Sequence, residues 1–388
     1  MSHSDPDTTH GPVEAALAAF RAGVPLKAPN ARNLAATIEN PGCTARRVLD
    51  AAGVDKAALA SRLGTPLPEE QSVFAINRGT RFEADVKAHD YAALVDLLRG
   101  EGFRVGTVRV LPLRDLYPIH AHGPDVALRA RAIATREAIV GMAAGDTEAP
   151  NLIDGGAIRW DYGGAVARLE TDGIAWRLGG QIHVVEVKSF PIVDGRGDPE
   201  KVGAAAWQAS VYVAAIADLL GAAGLDTDLV STDVLLVCPR NTSLVPMMVR
   251  VDVARQVRAL RRLLAGRLSI GAVLGGLGPD MTLDTTGLAD AAAARHLADV
   301  LDRLGTNYLP ACLATCPLAY HCRDHARAMG HPSSLGADVR ASLAGVASLP
   351  RVVALADGAP PDRSEAEAAT VLVRARRLVA AATTEARA

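Results

Sequence analysis

The stretch QIHVVEVKS at residues 181–189 has the clearest strand pattern in the chain. Because side chains alternate between the two faces of a strand, Glu186 and Lys188 project together. Val185 and Val187 point the other way, into packing. A charged pair on one face of an otherwise apolar strand is costly unless it binds something, and a divalent cation would compensate that cost. The stretch therefore predicts a buried strand whose charged face belongs to a metal site.

A second carboxylate, Asp172, precedes this strand. Carboxylates are the hard oxygen ligands that suit Mg²⁺ and Mn²⁺, and such a metal ion lowers the pKa of a bound water. We predict Asp172 and Glu186 as metal ligands, with the backbone carbonyl of Val187 as a third. Lys188 would position the water or stabilise negative charge that develops on a phosphate. These residue types indicate hydrolysis of a phosphodiester.

The dipeptide Gly179-Gly180 marks a turn just before the strand. A strict two-residue turn would place Asp172 opposite Val187, on the face away from Glu186. A shared cation therefore predicts an odd-length connection, either a three-residue loop or a bulge. A similar Asp-x-Lys triplet at residues 85–87 is set aside, because it lies in a predicted helix, where residues two apart do not share a face.

The periodicity of apolar residues predicts a mixed α/β chain. Predicted helices cover residues 79–99, 126–144 and 200–220, most of the sequence before residue 75 and most of it after residue 255. Predicted strands cover residues 103–111, 165–170, 174–178, 181–189, 233–238 and 245–251.

The composition is that of a folded globular protein. The chain has 388 residues, of which 49% are hydrophobic and only 4% aromatic, so the core must be built from Ala, Val, Leu and Ile. Lys and Arg number 41 and Asp and Glu 43, which gives a net charge of −2. This balance argues against broad nonspecific binding of nucleic acid and leaves room for a local basic groove. Arg240, Arg250 and the Arg-rich helix at residues 255–267 are candidates for such contacts.

We also expect no targeting signal. The N-terminal residues MSHSDPDTTHGP are polar, unlike the apolar core of a signal peptide. No uninterrupted apolar run reaches the roughly 20 residues that span a bilayer. We therefore expect a soluble cytoplasmic protein with no membrane partner.

The predicted helix after the strand contains the sequence AAAWQASVYVAA, in which Gln208 and Tyr212 share one helix face. With the acidic residue and the Glu-x-Lys strand before it, this Gln-x-x-x-Tyr helix resembles the RecB-like branch of the PD-(D/E)XK nucleases, especially the CRISPR-associated iron–sulfur exonucleases. The resemblance spans Cys43 to Cys322 and rests on the order of the motifs.

The resemblance implies an α/β protein with a PD-(D/E)XK restriction-endonuclease-like core, a small mixed sheet flanked by helices. It implies that Gln208 and Tyr212 face the site and that Gln208 hydrogen-bonds Lys188, a phosphate or a metal-bound water. The family also has an upstream helix that starts with Gly-Thr and carries a His or Glu. Gly79-Thr80 fits this pattern and makes Glu83 a candidate metal ligand.

One departure from the family concerns the first acidic ligand. Thr171, not a proline, precedes Asp172, although members of the family often lack that proline. Asp161 and Asp154 therefore stay as alternative first ligands.

Three cysteines, Cys312, Cys316 and Cys322, form a tight cluster in the sequence. Thiols this close in a reducing compartment suggest a metal centre, and Cys43 is the natural donor of a fourth thiolate. One upstream cysteine with a C-terminal triplet is the arrangement of the RecB-like iron–sulfur nucleases, so the resemblance implies a [4Fe–4S] cluster on these four residues. The family's usual spacing begins Cys-x-x-Cys, and this chain has one more residue there. Cys238 lies in an apolar strand and is expected in the core.

Two other interpretations of the cysteines stay open. Zinc would bind the three clustered thiols together with Cys43, or with His321 or His325 in its place, and in the other interpretation the thiols are free. A metal centre would join the N-terminal and C-terminal helical parts, since closing so long a loop restricts the unfolded chain.

The sequence thus predicts a Mg²⁺- or Mn²⁺-dependent deoxyribonuclease whose partner is DNA. The resemblance implies an exonuclease on single-stranded DNA or DNA ends, in DNA repair or in defence against foreign DNA. A helicase, another repair or defence subunit, or a second copy of the chain are candidate partners. One alternative is a catalytically quiet nuclease-fold subunit that binds DNA or acts as a scaffold. A sequence-specific restriction endonuclease is a third interpretation, against which the cysteines argue.

Four segments are expected along the chain. An N-terminal helical segment that carries one cluster cysteine covers residues 1–75, and the nuclease core covers residues 76–255. A helical iron–sulfur segment covers residues 256–330, and a helical extension covers residues 331–388.

Overall fold

The computed structural model describes residues 12–22, 24, 27, 29–68, 73–162, 165–171, 174–241, 243–265, 270–276, 278, 281–343 and 345–385. The chain divides into two compact units. Unit 1 comprises residues 1–39, 50–53 and 70–278, and unit 2 comprises residues 40–49, 54–69 and 279–388.

The secondary structure is mixed, with helices in the majority. The helices are α1 (Pro12–Arg21), α2 (Ala31–Glu39), α3 (Thr44–Ala51), α4 (Lys56–Arg62), α5 (Val73–Gly100), α6 (Leu113–Leu116), α7 (Ile119–His122), α8 (Pro124–Ala144), α9 (Pro199–Ala222), α10 (Ala254–Ala265), α11 (Ile270–Gly275), α12 (Asp290–Leu304), α13 (Cys312–Thr315), α14 (Ala319–Ala328), α15 (Ala337–Ser342), α16 (Leu349–Ala356) and α17 (Ala366–Glu385). The strands are β1 (Val110–Pro112), β2 (Leu152–Asp154), β3 (Ala157–Tyr162), β4 (Ala165–Glu170), β5 (Ile174–Leu178), β6 (Gln181–Val187), β7 (Ile192–Val193), β8 (Arg196–Gly197), β9 (Asp233–Pro239) and β10 (Pro246–Asp252).

Unit 1 is built on a six-stranded mixed sheet with the strand order β1-β2-β5-β6-β9-β10. β5 pairs antiparallel with both β2 and β6, whereas β6 and β9 are parallel. Parallel neighbours need a crossover connection, and α9 supplies it. The strands β3 and β4 form a separate antiparallel hairpin.

The two faces of the sheet bury different helices. On one face, Val185 and Leu235 pack with Phe82 and Val86 of α5 in an apolar cluster. On the other face, Leu236 and Cys238 pack with the small side chain of Ala205 from α9. Cys238 is fully buried, as predicted. Apolar residues therefore cover both faces of the central strands, as expected for a sheet between helices.

The helix α9 is capped and deeply buried. Asp198 accepts hydrogen bonds from the N–H groups of Glu200 and Lys201, and Pro199 stands in the first turn. Within the described part of the chain, α9 is also the one helix long and apolar enough to cross a membrane, and 61% of its most apolar window is buried inside the protein. The core helix of a soluble protein has this same character.

Three predictions about secondary structure were incomplete or wrong. The strand predicted at residues 103–111 is a strand only at β1, because Phe103 and Val105 pack on the α5 cluster without a partner strand. The strands β2 and β3 were not predicted. The helix predicted at residues 79–99 is interrupted by non-helical backbone at residues 88–91.

Unit 2 is helical. Leu297, Val300 and Leu301 form the buried face of α12. A second apolar cluster joins Leu355 of α16 to Ala368 of α17. Each helix buries one stripe of side chains, which is the usual pattern for packed helices.

Candidate active site and thiol centre

The charged pair of β6 lies on the face of the sheet that packs on α9. Glu186 is fully buried, and its Oε1 atom lies 2.6 Å from Nζ of Lys188. The intervening Val187 packs on the α5 side, as strand alternation requires. The N–H of Lys188 donates to the carbonyl of Val237 at 2.9 Å, which fixes the lysine at the end of the strand. The assignment of the Val187 carbonyl as a metal ligand stays a prediction.

A series of hydrogen bonds continues from this pair into α9. Nζ of Lys188 donates to Oε1 of Gln208 at 3.0 Å, and Nε2 of Gln208 donates to Oη of Tyr212 at 3.2 Å. The Tyr212 hydroxyl in turn donates to the carbonyl of Glu170 at 2.6 Å. Gln208 and Tyr212 share a helix face because they are four residues apart, and they are only 6% and 1% exposed. The series fixes which end of the Gln208 amide faces the lysine.

A second polar cluster, on the α5 face, contains Glu83. Nζ of Lys87 lies 2.6 Å from Oε1 of Glu83 and 2.7 Å from Oδ1 of Asp154, so one ammonium joins two carboxylates. Arg114 donates to Glu83 at 2.9 Å, and the Tyr91 hydroxyl donates to the other oxygen of Asp154 at 2.5 Å. The side chains of Lys87 and Asp154 are 15% and 13% exposed, so water screens these ion pairs only partly.

The start of α5 lies beside the end of β6. A Cβ atom on Gly79 would lie 3.4 Å from Oγ of Ser189, and Glu83 is one turn further along the same helix face. Asp154 ends β2, which runs in the same direction as β6 because both pair antiparallel with β5. Glu83 and Asp154 therefore lie at the same edge of the sheet as the end of β6, on the opposite face from Glu186.

The backbone is strained where α5 presents Tyr91. His89, Asp90 and Tyr91 have φ values of 53°, 53° and 63°, a conformation that costs a non-glycine residue about 1–3 kcal/mol. Burial, followed by the carboxylate of Asp154, raises the pKa of Tyr91. The phenol therefore stays protonated and donates to Asp154.

The predicted first ligand, Asp172, lies outside the described residues. The hairpin that precedes β6 is described, and Gly179-Gly180 forms a regular two-residue turn with Ile174 in register opposite Val185. The predicted odd-length connection was therefore wrong. Both glycines have positive φ, 56° and 85°, which is what this turn demands at both positions, so no extra residue is needed. This register counts against a cation shared by Asp172 and Glu186.

The two alternative first ligands occupy different places. Asp154 belongs to the polar cluster on the α5 face. Asp161 is exposed on β3, opposite Val166 in the separate hairpin. Asp154 is thus the alternative that lies at the same sheet edge as the β6 pair.

Sequence reasoning missed Lys87, Arg114 and Tyr91. Lys87 was set aside with Asp85, which is indeed exposed, but the lysine joins the site through Glu83 instead. The four-residue spacing of Glu83 and Lys87 is the signal that could have shown this. Arg114 and Tyr91 reach the cluster through tertiary contacts and a break in the helix, for which the sequence offers no local signal.

The four cysteines predicted to hold a cluster all belong to unit 2. The pKa of Cys322 is raised, and burial is the largest cause. The charges of Cys316, Cys43 and Cys312 raise this pKa further. The side-chain amide of Asn40 donates to Sγ of Cys312 at 3.4 Å.

Hydrogen-bond donors and cations surround these thiols. Burial raises the pKa of Cys43, and the backbone N–H groups of Arg46 and Asn307 oppose that shift. Burial also raises the pKa of Cys316, against the charges of Arg46 and Lys56. Arg46 and Lys56 are only 3% and 5% exposed. Such donors and cations favour anionic sulfur, so the surroundings fit a thiolate-bound metal centre.

The fit of the four cysteines to a metal centre rests on the chemistry of the thiols and their neighbours, not on a preformed set of ligands. Among the residues that the structure describes, no group of three or more Cys, His, Asp or Glu side chains is arranged to hold a metal ion. Of the histidines considered as zinc ligands, His325 lies 3.6 Å from Asp302. Burial lowers the pKa of His321, which keeps its imidazole neutral.

Comparison with known proteins adds no relative. No family model, no curated protein and no solved structure matches this chain. Its function is therefore inferred from the residues described above.

Proposed function

We propose that this protein is a metal-dependent DNA nuclease with a PD-(D/E)XK-type core. The observation that carries the proposal is the hydrogen-bonded series from Lys188 through Gln208 to Tyr212 on α9, with Lys188 directly after β6 and paired with Glu186 of that strand. A buried acid and an amine on one strand face, held by a glutamine on the next helix, form a set that phosphodiester hydrolysis uses. The mixed α/β architecture, with a hairpin before β6 and a helical crossover after it, is compatible with such a core.

Magnesium or manganese suits the donors at this sheet edge. The Glu186 carboxylate and the Val187 carbonyl are hard oxygen ligands for such a cation. Asp172 and Glu83 were predicted as further ligands, but Glu83 lies on the opposite face of the sheet from Glu186 and the β5–β6 register counts against Asp172. A cation bound there would polarise the phosphodiester and lower the pKa of a coordinated water. Asp154, the alternative to Asp172, shares Lys87 with Glu83 on the α5 face, so these two carboxylates form a group separate from Glu186.

The described residues have separable tasks in this mechanism. The Lys188 ammonium stabilises negative charge that develops on the phosphate oxygens. Gln208 holds that ammonium in place by accepting its hydrogen bond. Tyr212 holds the Gln208 amide, because a flipped amide would lose its bonds to both neighbours. Preorganisation of this kind lets the site act without rearrangement.

The second group that we propose is a [4Fe–4S] cluster bound by Cys43, Cys312, Cys316 and Cys322. Its role is structural, since it ties residues near the N-terminus to a C-terminal helical segment within unit 2. Zinc on the same thiols is the alternative metal.

The proposal extends to substrate and setting. We assign exonuclease activity on single-stranded DNA or DNA ends, in DNA repair or defence against foreign DNA, together with a helicase or other subunits of such a complex. The chain is proposed to act in the cytoplasm.

The test is hydrolysis of end-labelled DNA by the purified protein in Mg²⁺ or Mn²⁺. Glu186→Gln and Lys188→Met should each lower the rate on the order of 10³-fold, the range for loss of a charged group that stabilises a transition state. The matched control is Asp85→Asn, which changes an exposed carboxylate of a similar triplet and should keep the wild-type rate. Thermal melting of each variant shows whether it is folded. Wild-type activity in both variants would refute the assignment.

The same experiment separates the second candidate. A wild-type protein that binds DNA but leaves it intact in either metal would be a catalytically quiet subunit of a larger complex. In that case the strained backbone at residues 89–91 and the regular hairpin before β6 would belong to a protein that binds DNA without cleaving it.

A further inference from the structure

The strand β10 forms an open edge of the main sheet of unit 1. It stands last in the strand order β1-β2-β5-β6-β9-β10, and among the strands that the structure describes it pairs only with β9. It has seven residues, whereas β1 at the opposite edge has three. A long edge strand presents a row of N–H and C=O groups to which another strand can add.

The outward-facing backbone groups of β10 belong to its even-numbered residues. The carbonyl of Val245 accepts a hydrogen bond at 2.8 Å from the residue that follows β9, and the N–H of Val253 donates at 2.9 Å to the residue that precedes β9. Odd-numbered residues at both ends of β10 therefore bond toward β9. Because this direction alternates along an antiparallel strand, Met248 and Arg250 direct their N–H and C=O groups away from β9.

The side chains of β10 leave this edge accessible. Met247, Val249 and Val251 lie on the α9 face, where each is half-buried against the apolar cluster around Ala205. Arg250 lies on the α5 face. A charge in the middle of an edge strand can discourage a partner strand, but Arg250 is paired with Glu101 at 3.2 Å within the same chain.

A second copy of β10 matches this edge in one register. A two-fold axis at Val249 pairs all seven residues of the strand, because Val249 is the middle residue. Val249 then faces its own counterpart and Met247 faces Val251, so apolar side chains pair across the strands on the α9 face. On the α5 face, Met248 faces Arg250, and these two residues exchange both of their outward backbone hydrogen bonds.

The neighbouring registers fit less well. An axis at Arg250 places two like charges directly opposite each other, which destabilises a strand pair, and leaves the first two residues of the strand unpaired. An axis at Met248 leaves the last two residues unpaired. We propose that β10 pairs antiparallel with β10 of a second copy of this chain about an axis at Val249, so that the two sheets join into one.

This register fixes where the two β6 sites lie. Val249 is opposite Leu236 of β9, and Leu236 is opposite Glu186 of β6. A two-fold axis that relates antiparallel edge strands is perpendicular to the sheet, so both Glu186 residues lie on the same face of the joined sheet. They are five strand spacings apart, roughly 24 Å. The pairing itself does not depend on the proposed nuclease activity.

The first test is sedimentation velocity of the full chain over a wide range of concentrations. One strand from each copy makes a small protein interface, so we expect a reversible dimer. Val249→Lys places like charges opposite each other at the axis and should raise the Kd of the dimer at least about tenfold, and Val249→Asp should do the same. An equal mixture of the two variants should recover the dimer, because Lys then faces Asp, whereas variants that fail to fold would not recover it.

Oxidative cross-linking locates the axis. The Cα atoms of a directly opposite pair that is not hydrogen-bonded lie about 4.5 Å apart, which suits a disulfide, so Val249→Cys should cross-link to its copy. Arg250→Cys is the matched control. Its counterpart lies diagonally across the strands at roughly 7–8 Å, too far for a disulfide, so this variant should cross-link no more than the wild-type protein.

Three results would overturn the proposal. They are a wild-type protein that is monomeric at every concentration, a dimer that Val249→Lys leaves unchanged, and cross-linking of Arg250→Cys as efficient as that of Val249→Cys. A nuclease assay on the same samples separates this proposal from the proposed function. An inactive protein that dimerises through Val249 would refute the nuclease and keep the interface, and an active monomer would do the opposite.

Discussion

The carboxylate–lysine series of unit 1 and the thiol centre of unit 2 draw their residues from very different distances along the chain. Glu186, Lys188, Gln208 and Tyr212 come from one strand and the helix that follows it. The proposed thiol centre takes Cys43 from residues 40–49 of unit 2 and three cysteines from residues 279–388. The first site follows from local periodicity and one packing contact. The second site requires a long loop of the chain to close. Closing that loop costs entropy, which strong bonds at the site would have to offset.

The two regions also differ in what compensates their buried ionisable groups. In unit 1, the Glu186 carboxylate is balanced within the fold by Lys188 at 2.6 Å. In unit 2, burial raises the pKa of Cys43, Cys316 and Cys322, so these thiols stay protonated unless the proposed metal binds them. Removal of the proposed cluster metal should therefore affect the stability of unit 2 far more than that of unit 1.

The largest expected effect is that of Cys43→Ser. Loss of this proposed ligand should abolish absorbance near 400 nm in aerobically purified protein. It should also lower the free energy of unfolding on the order of 5 kcal/mol or more, since structural metal centres contribute roughly 10 kcal/mol. Absorption spectra, iron and zinc analysis and urea unfolding measure these effects.

The control for this variant is Cys238→Ala, which changes a buried cysteine of unit 1 and should keep the chromophore. A colourless wild-type protein with one bound zinc would replace the iron–sulfur assignment with zinc. A Cys43→Ser protein with full colour would remove Cys43 from the centre.

A smaller effect is expected for Tyr212→Phe. The carbonyl of Glu170 would lose its buried donor, which should lower the free energy of unfolding by about 1–3 kcal/mol. The Gln208 amide would lose its fixed orientation, and the rate of DNA hydrolysis should fall roughly tenfold, equivalent to about 1.4 kcal/mol in the barrier. Urea unfolding and a nuclease assay measure the two effects. The control is Tyr320→Phe in unit 2, and an unchanged rate in Tyr212→Phe would show that the series does not support Lys188.

The smallest effect concerns pH. The folded metal-free protein holds thiol protons that the unfolded chain releases near pH 8.5, because burial raises the pKa of Cys322 and its neighbours. A group whose pKa is higher in the folded state stabilises fully below the unfolded pKa, and that stability is lost as pH rises above it. The Tm of metal-free protein should thus fall above about pH 8.5. Metal-loaded protein, whose thiolates are already ligands, should change less, and a flat metal-free Tm would contradict the burial of these thiols.

Much of the site's scaffold was predictable from local pattern, and each exception has its own physical cause. The strand at β6, the long helix α9 and the buried Cys238 follow from alternation, helical spacing and apolar composition. The strand predicted over residues 103–111 failed because its apolar residues serve packing on α5 and mostly lack a partner strand. The predicted bulge failed because two glycines suffice for a tight hairpin turn.

The sequence alone determined which side chains share a face, since the periods of strand and helix are fixed by backbone geometry. It thereby paired Glu186 with Lys188 and Gln208 with Tyr212. Only the tertiary structure decided that Lys87 joins Glu83 to Asp154 and that Arg114 and Tyr91 reach the same cluster. Those groupings depend on how separate elements pack, and packing is a property of the whole chain that no local period encodes.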